Sequence, residues 1–252
     1  MIPKILHYCW FGDNPKSKIF QDCLLSWQQF CPDFEIIQWN EINTKKYTNH
    51  FYKNALRKKK YAFVADYVRA KVLFEHGGVY LDTDMILLKP IDNLLLYDFF
   101  IAEEVENRVA FGMFGSVKQH RFLLQMLNFY NNEEFNEFSP PVITHTFTSI
   151  INKQTANKNE IVFEPKYFYP LPYEDRFEAY SKFIQPESFA VHLWDHSWRK
   201  TAQKGFPGLL KNLKTVLFDF LFYGYSFKYF KRYTKEFFRK IIQLLRAKTT
   251  SS

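Results

Sequence analysis

Two aspartates, Asp82 and Asp84, interrupt an otherwise apolar run that extends from Val79 to Leu88. Unpaired carboxylates are costly to bury in such a run, so their presence there indicates a role. We predict that the run is one strand, and because alternate side chains of a strand share a face, both carboxylates would project together. Carboxylates at the carboxyl end of a parallel strand lie where α/β sheets bind ligands, and they suit Mg²⁺ or Mn²⁺. The alternative is a solvated strand end.

Asp66 and Arg69 form a second candidate site, three residues apart on one face of a helix predicted over Tyr61–His76. Taken alone, this spacing is typical of a surface ion pair of small energetic value. However, the helix leads through a Gly-Gly pair directly into the acidic strand. We therefore expect the pair to lie beside the two aspartates and to bind the hydroxyl groups of a ligand.

A third cluster follows a predicted apolar strand near the end of the body of the chain. Its members are His192, Trp194, Asp195, His196, Ser197 and Trp198. This mixture offers a metal ligand, a phosphate donor and stacking surfaces. We favour His192 as the metal ligand because it directly follows the apolar residues Phe189–Val191, which would hold it rigidly. The alternatives are His196, or a structural role for His192 through a backbone hydrogen bond.

Composition bounds the class of protein. The chain has 252 residues, 47% of them apolar, which is enough for a sizeable core. The three cysteines, Cys9, Cys23 and Cys31, are odd in number and lack CxxC spacing, so we expect reduced thiols rather than disulfides or a zinc site. There is no uncharged apolar run long enough to span a membrane, and the first residues do not resemble a signal peptide. We therefore expect a cytoplasmic location.

The order of predicted elements indicates an α/β domain. Strands are predicted over Ile2–Trp10, Phe34–Trp39, Val79–Leu88, Phe99–Ala102, Val109–Phe114 and Phe189–Trp194. Helices are predicted over Ser17–Phe30, Tyr61–His76 and Arg121–Tyr130. The opening strand–helix–strand unit favours a parallel sheet with helices on its faces.

The positive charge of the chain is confined to its tail. Residues 1–199 carry 22 Lys and Arg against 24 Asp and Glu, whereas residues 200–252 carry 12 against 2. A nearly neutral body offers no basic groove, so nucleic acid is not an expected partner.

The tail has the pattern of amphipathic helices. Its apolar residues at roughly helical spacing are Leu209, Leu213, Val216, Phe220, Phe227, Phe230, Phe237, Ile241 and Leu244. The intervening basic residues are Lys228, Lys231, Arg232, Lys235, Arg239 and Lys240. This combination predicts a helix that lies in the interface of an anionic membrane. The alternative is that the apolar stripe packs on the body or on a second subunit.

Three separated motifs occur in a fixed order along the chain. They are Ile2-Pro3-Lys4-Ile5-x-His7-x-x-Trp10-x-Gly12, then Ala65-Asp66-x-x-Arg69 with Gly77-Gly78-Val79-Tyr80-Leu81-Asp82-Thr83-Asp84, then His192-x-Trp194-x-x-x-Ser197-Trp198. Together they resemble the DxD-type glycosyltransferases of family 32. These include yeast outer-chain mannosyltransferases and bacterial capsule and lipopolysaccharide enzymes, and the catalytic domain of the large glucosylating toxins is a distant relative.

The resemblance implies a GT-A fold, with one Rossmann-like nucleotide-sugar-binding domain over residues 1–205 and a helical appendage over residues 206–252. It implies a retaining transfer of a hexose from a nucleotide-sugar, with UDP favoured, to a saccharide or lipid-linked saccharide in capsule or lipopolysaccharide synthesis. The cofactor would be Mn²⁺ or Mg²⁺. The rival hypotheses are a nucleotide-sugar hydrolase, and a non-catalytic protein of the same fold that binds carbohydrate or membrane. With the basic tail, the expected place is the inner face of the membrane.

The resemblance also assigns roles around the metal and the phosphates. Asp84 would ligate the cation together with the diphosphate, and His192 would complete the metal shell. Ser197 and Trp198 would hold the departing phosphate.

The remaining roles concern the base and the sugar of the donor. By the same resemblance, Trp10 would stack on the base and Asp82 would contact the ribose or the sugar. Asp66 and Arg69 would bind the donor sugar. No residue of the sequence stands out as a covalent nucleophile, which favours attack by the acceptor hydroxyl on the same face.

Overall fold

The computed structural model describes residues 1–137, 140–153, 157, 159–195, 206–222, 227, 230–231, 234–235 and 237–242. The chain divides into two compact units. The first unit comprises residues 1–132 and 142–197, and the second comprises residues 133–141 and 198–252. The domain boundary expected after residue 205 stays a prediction.

The first unit is built on β-strands from both halves of its sequence. Its strands are β1 (Ile5–Cys9), β2 (Glu35–Trp39), β3 (Gly78–Leu81), β4 (Met85–Leu87), β5 (Phe99–Val105), β6 (Arg108–Ser116), β7 (Glu160–Phe163) and β8 (Ala190–His192). Six of them form a sheet in the order β2-β1-β3-β6-β5-β7, and β4 pairs with β8 alone. Within the sheet, β6 runs antiparallel to β3 and β5, whereas the other pairs are parallel. The predicted α/β class with a mainly parallel sheet is confirmed.

The helices follow the predicted pattern where the apolar spacing is strong. They are α1 (Lys18–Phe30), α2 (His50–Arg57), α3 (Tyr61–His76), α4 (Arg121–Asn132), α5 (Ile143–Lys153), α6 (Pro165–Phe168) and, in the second unit, α7 (Phe206–Phe222). The helices predicted near α1, α3 and α4 are confirmed. The sequence reasoning did not predict α2, α5 or β7.

Helix α1 fixes the position of β4. Ser17 caps the helix, because its hydroxyl accepts a hydrogen bond from the Phe20 amide at 3.2 Å. The buried Trp27 donates from Nε1 to the carbonyl of Met85 at 2.7 Å. The hydroxyl of Ser26 accepts from the Leu87 amide at 3.0 Å. Two side chains of α1 therefore hold β4, the strand that follows the two aspartates, by hydrogen bonds to its backbone.

Two glycines make the sharp connection from α3 to β3. Gly77 and Gly78 have φ values of +68° and +104°, which side-chain-bearing residues rarely adopt. A Cβ atom on Gly78 would lie 2.7 Å from the carbonyl of Ile5 and 2.9 Å from Nε2 of His7. Only glycine fits here, so the helix that carries Asp66 turns directly into the strand that precedes Asp82.

His7 locks this connection from the neighbouring strand. Its Nε2 donates to the carbonyl of Gly77 at 2.9 Å, and its Nδ1 accepts from Nε1 of Trp39 at 3.0 Å. Both bonds together require the neutral imidazole with the proton on Nε2. Burial lowers the pKa of His7 to about 4, so the ring stays neutral at physiological pH.

The single strand predicted over Val79–Leu88 is wrong. Strand β3 ends at Leu81 and β4 begins at Met85, with a turn between them. The Asp82 amide donates to the carbonyl of Gly112 at 2.7 Å, and the Met85 amide donates to the carbonyl of Asp82 at 3.0 Å. The chain leaves the main sheet at this turn because its next partner is β8, a strand about a hundred residues later that local pattern does not reveal.

Part of the apolar stripe predicted for the tail is covered by other apolar residues. In the second unit, Val216 is fully buried and packs against Leu213, Phe230 and Phe237. The rings of Phe220 and Phe230 also meet, with centroids 5.5 Å apart. Val216 and its neighbours are therefore covered within the tail, an arrangement that the prediction of a membrane-facing stripe did not include. Leu244, the last member of the predicted stripe, lies outside the described residues.

A set of apolar side chains that includes Phe227 of the predicted stripe is exposed in the second unit. Its members are Leu210, Leu217, Phe218, Leu221, Phe222, Phe227, Phe238 and Ile242. Among the described residues, no helix is long and apolar enough to cross a membrane.

Candidate active site

The turn between β3 and β4 gathers three side chains that can hold a metal ion. Asp82, Asp84 and His192 each place a ligand atom within 4.8 Å of the others. Because β8 pairs with β4 in a register that sets Met85 opposite His192, the late strand delivers the histidine to the early turn. The two carboxylates meet through a turn rather than through strand alternation, but the predicted grouping of the three residues is present.

Asp84 is held by three contacts to the segment that carries β8. Its Oδ1 lies 3.1 Å from Nε2 of His192, and its Oδ2 accepts from the Asp195 amide at 2.9 Å. Its backbone carbonyl accepts from the Leu193 amide at 2.9 Å. Burial alone would raise the pKa of Asp84, but the neighbouring His192 and the hydrogen bonds outweigh it and lower that pKa below its usual range.

His192 is shifted in the complementary direction. Burial would lower its pKa, but the carboxylate of Asp84 outweighs it and raises the pKa of His192 above its ordinary value. The two shifts are opposite in direction because the negative charge of Asp84 and a positive charge on His192 stabilise each other. The Nδ1 atom of His192 is buried and has no hydrogen-bond partner among the described residues.

Asp82 faces a different set of partners. Arg69 approaches both of its carboxylate oxygens at 3.3 Å, and the hydroxyl of Tyr80 donates to Oδ1 at 3.1 Å. Burial raises the pKa of Asp82, and Arg69 opposes that effect. Asp82 thus contacts side chains of α3 and β3, whereas Asp84 contacts the segment that carries β8.

Asp66 and Arg69 are buried beside the turn, with 8% and 6% of their surface exposed. The interpretation as a surface ion pair is therefore wrong. Arg69 reaches Oδ1 of Asp66 at 3.2 Å and donates to the carbonyl of Phe111 at 2.8 Å. Burial raises the pKa of Asp66 to about 7, although Arg69 acts against it. The guanidinium thus bridges the carboxylates of Asp66 and Asp82, as the helix-to-strand connection leads one to expect.

Trp10 stands at the same edge of the sheet. It directly follows β1, the parallel neighbour of β3. Its ring is half-buried against Phe20, at a centroid distance of 5.4 Å, and its Nε1 donates to the carbonyl of Asn14 at 3.1 Å. A partly exposed ring at this edge is compatible with stacking on a base, and that role stays a prediction.

Two predicted phosphate-binding residues lie beyond reach of the structural description. Ser197 and Trp198 fall outside the described residues, as does the competing His196. Their roles stay predictions.

Several site residues escaped the sequence reasoning. Tyr80 precedes Asp82 by two residues and shares its side of the chain, so strand alternation was the signal that pointed to it. Gly112 is the second: a Cβ there would lie 3.4 Å from Oδ2 of Asp82 and 3.2 Å from the hydroxyl of Tyr169. The third is the backbone amide of Asp195, which donates to Oδ2 of Asp84, and no local sequence pattern predicts this contact.

The donor set fits a hard divalent cation. Carboxylate oxygens suit Mg²⁺ and Mn²⁺, and a neutral imidazole adds a ligand that Mn²⁺ accepts. Two carboxylates converge with His192, whose Nε2 lies 3.1 Å from Oδ1 of Asp84, and this gives a largely buried polar site that a cation would satisfy.

Comparison with known proteins agrees with the site. Residues 17–101 match a family model described as a glycosyltransferase sugar-binding region containing a DXD motif, and residues 116–213 match one described as an alpha 1,4-glycosyltransferase conserved region. A solved structure, the PaToxG glycosyltransferase, is similar over 60% of this chain and 70% of its own, with 18% identity and a TM-score of 0.48. The α/β architecture with a mainly parallel sheet fits the GT-A fold that the sequence resemblance implies.

Named relatives belong to the same class. Human alpha-1,4-N-acetylglucosaminyltransferase is 25% identical over 68% of this chain and 51% of its own length. Inositol phosphoceramide mannosyltransferase 1 of Schizosaccharomyces pombe is 26% identical over 86% of this chain and 68% of its own length. Mouse lactosylceramide 4-alpha-galactosyltransferase is 30% identical over 52% of this chain and 40% of its own length. The chain thus spans about half the length of several relatives that it matches. The two family models together match most of residues 17–213, and the predicted resemblance to the DxD-type glycosyltransferases of family 32 is confirmed.

Proposed function

We propose that this chain transfers a hexose from a nucleotide-sugar, with UDP as the nucleotide, to a saccharide acceptor with retention at the anomeric carbon. The observation that supports this most is the convergence of Asp82, Asp84 and His192 at the carboxyl end of β3. Ligands of open α/β sheets bind at this end of the strands.

The residues of the site form two groups, one that binds the metal ion and one that binds the nucleotide-sugar donor. Asp84 and His192 hold the cation, and Asp82 completes the set. A bound Mn²⁺ would neutralise the negative charge that builds up on the departing diphosphate. Asp66 and Arg69 bind the donor sugar, whose hydroxyl groups offer both donors and acceptors to an ion pair. Trp10 stacks on the base, and Ser197 and Trp198 hold the phosphates.

The chemical step requires no covalent intermediate with the protein. The acceptor oxygen forms a bond to the anomeric carbon on the face from which the phosphate oxygen departs. The proton of the acceptor hydroxyl passes to the departing phosphate oxygen.

The acceptor is a saccharide carried on a lipid. Two of the relatives are named for transfer to ceramide-based lipids, inositol phosphoceramide and lactosylceramide. A lipid-linked intermediate of capsule or lipopolysaccharide synthesis has the same general chemistry, a saccharide joined to a membrane anchor.

The experiment is a donor assay with and without acceptors. UDP-glucose, UDP-galactose and UDP-N-acetylglucosamine are incubated with Mn²⁺, and released UDP and new glycosides are measured by mass spectrometry. Asp84→Asn serves as the matched inactive variant. Transfer to a saccharide supports the proposal. Turnover that yields only free sugar whatever acceptor is offered identifies a hydrolase. Absence of turnover and of metal-dependent binding with UDP, with GDP and with their sugars identifies a non-catalytic protein.

We also propose that the second unit holds the enzyme peripherally on the inner face of the membrane. Leu221 and Phe222 are 67% and 68% exposed, and residues 200–252 carry a net charge of +10. Exposed apolar side chains enter the lipid interface, while each Lys or Arg near an anionic surface adds about 1 kcal/mol.

Vesicle flotation tests this attachment. The full-length protein should bind phosphatidylserine vesicles at low salt, and Leu221→Ser/Phe222→Ser should weaken that binding about tenfold or more. Leu96→Ser, an exposed leucine of the first unit, is the matched control and should bind like the wild type. A wild-type protein that ignores such vesicles contradicts the proposal and indicates that the exposed set is a protein interface.

A further inference from the structure

A continuous row of aromatic contacts leads away from the candidate metal ligand. The rings of His192 and Trp194 have centroids 4.1 Å apart. Trp194 then meets Tyr173 edge to face at 5.4 Å. The guanidinium of Arg176 lies 4.2 Å from the ring centre of Tyr173 and 4.3 Å from that of Phe177. We name Trp194, Tyr173, Arg176 and Phe177 the aromatic strip. None of these four residues has a role in the mechanism proposed above.

The inner end of the aromatic strip is held in a strained conformation. Trp194 has φ +56°, in the left-handed region that large side chains rarely adopt. Its Nε1 donates to the carbonyl of Leu171 at 3.0 Å, which fixes the ring between His192 and Tyr173. Strain of this kind persists where the surrounding structure imposes it, and it is concentrated at functional sites. The ring is thus held in place next to the metal ligand.

The outer end of the strip is exposed. Phe177 is 86% exposed, the most exposed phenylalanine among the described residues. The ring of Phe177 is not part of the hydrophobic core, and it contacts the guanidinium of Arg176. Arg176 is itself anchored, since it donates from Nη1 to the carbonyl of Tyr173 at 2.9 Å. The guanidinium between two rings stiffens the outer half of the strip by cation–π contacts.

These properties fit a pyranose ring. One face of a pyranose carries mainly C–H groups, which stack on aromatic rings, while its edges carry hydroxyl groups that hydrogen-bond to charged side chains. The strip offers rings at Trp194, Tyr173 and Phe177 and a hydrogen-bond donor at Arg176. A saccharide lying along it would have one end at the metal centre and the other in solvent, which an acceptor with a distant lipid anchor requires.

We propose that the aromatic strip is the acceptor-saccharide subsite of this enzyme, with a neutral hexopyranoside as its ligand. The inference rests on the proposed function, because an acceptor subsite presupposes sugar transfer. It assigns a binding role to four residues and predicts that acceptor binding and donor binding respond separately to substitution.

The test compares glycoside binding with UDP binding in the same variants. Methyl β-D-galactopyranoside, methyl α-D-mannopyranoside and lactose serve as probes in saturation-transfer NMR, in the presence of UDP and Mn²⁺. Phe177→Ala should weaken binding of the preferred probe about fivefold, a change of about 1 kcal/mol that lies within the range of single aromatic contacts. Phe177→Trp should restore the binding. UDP affinity should stay within about twofold in both variants, since Phe177 lies outside the site that holds the diphosphate.

A matched control separates a stacking role from general surface effects. Leu96→Ala removes an apolar side chain that is 64% exposed and precedes β5, at the edge of the sheet where the parallel strands begin. It should change neither affinity. The proposal is wrong if Phe177→Ala leaves probe binding unchanged, or if no probe binds the wild type at millimolar concentration. Failure of UDP itself to bind the wild type with Mn²⁺ would instead contradict the proposed function.

Discussion

Globular proteins usually bury apolar side chains and expose charged ones, and two regions of this molecule depart from that rule in different ways. They are the turn at Asp82–Asp84 and the second unit. At the turn, charged groups are buried: Asp66, Arg69 and Asp84 each expose less than a tenth of their surface. In the second unit, large apolar groups are exposed, and Leu221 and Phe222 show about two-thirds of theirs. Buried charges and exposed apolar groups are both unfavourable in an isolated molecule.

The difference lies in what satisfies each region. The buried charges satisfy one another, because Arg69 bridges Asp66 and Asp82 while Asp84 pairs with His192. In the second unit, the rings of Phe218 and Phe222 contact each other at a centroid distance of 4.7 Å, but most of the surface of Leu221 and Phe222 stays exposed. That exposed surface gains only when something external covers it. We therefore expect the turn to be sensitive to single substitutions in solution, and the exposed apolar set to be insensitive until a membrane is present.

The largest effect is expected at Asp84. Asp84→Asn keeps the shape of the side chain but removes the charge that faces the cation and His192. Donor turnover should fall by about 10³-fold, in the range found when a key electrostatic group is removed, while the protein stays folded. Turnover and circular dichroism measured on the same preparation check both parts. Unchanged turnover, or full wild-type turnover in EDTA, would remove Asp84 from the site.

Arg69 should have the largest effect on stability. Arg69→Met leaves the carboxylates of Asp66 and Asp82 buried without their shared cation, which should lower the free energy of unfolding by about 3–5 kcal/mol. The matched control is Lys71→Met on the same helix, which breaks the partly exposed pair with Glu75 and should change stability by less than about 1 kcal/mol. Equal losses of unfolding free energy for the two variants in urea denaturation would show that the buried network stabilises the protein no more than the exposed pair does.

His7 links stability to pH. Its pKa is about 4 in the folded protein and about 6.5 when exposed, so between these values the unfolded chain takes up a proton that the folded chain refuses. The contribution of His7 is complete above pH 6.5 and decreases as the pH falls, by up to about 3 kcal/mol at pH 4. Urea denaturation of wild type and His7→Gln across this range should show the pH dependence shrinking in the variant. An identical pH profile for both proteins would contradict the locked neutral imidazole.

The smallest effect in solution is expected at Phe222. Phe222→Ser removes an exposed ring, so the free energy of unfolding should change by less than about 0.5 kcal/mol and soluble donor turnover should not change. A substantial loss of stability would show that the ring is covered in solution and would remove the contrast between the two regions.

Local pattern was sufficient for parts of this fold. Helix α1 and strands β1 and β2 follow from apolar spacing and from Ser17 at a helix start. The Gly-Gly pair that joins α3 to β3 predicts that Asp66 and Arg69 lie close to the acidic residues. These inferences depend on neighbours in sequence, which a single sequence displays.

Nonlocal pairing accounts for what the sequence did not reveal. The break at Asp82 depends on β8, and the burial of Arg69 depends on the carbonyl of Phe111 and on Asp82. The tail stripe was assigned to a membrane because a helical pattern shows that a face is apolar without showing what covers it. Val216 is in fact covered by Phe230 and Phe237.

Calorimetric titration of UDP with and without Mn²⁺ tests the central claim, that Asp82, Asp84 and His192 form a metal site that holds the diphosphate. The wild type should bind UDP at least about tenfold more tightly with Mn²⁺ than in EDTA, since the cation offsets charge on both sides. That difference should vanish in Asp84→Asn and shrink more in His192→Ala than in His196→Ala. UDP affinity that does not depend on Mn²⁺ in the wild type would contradict the account.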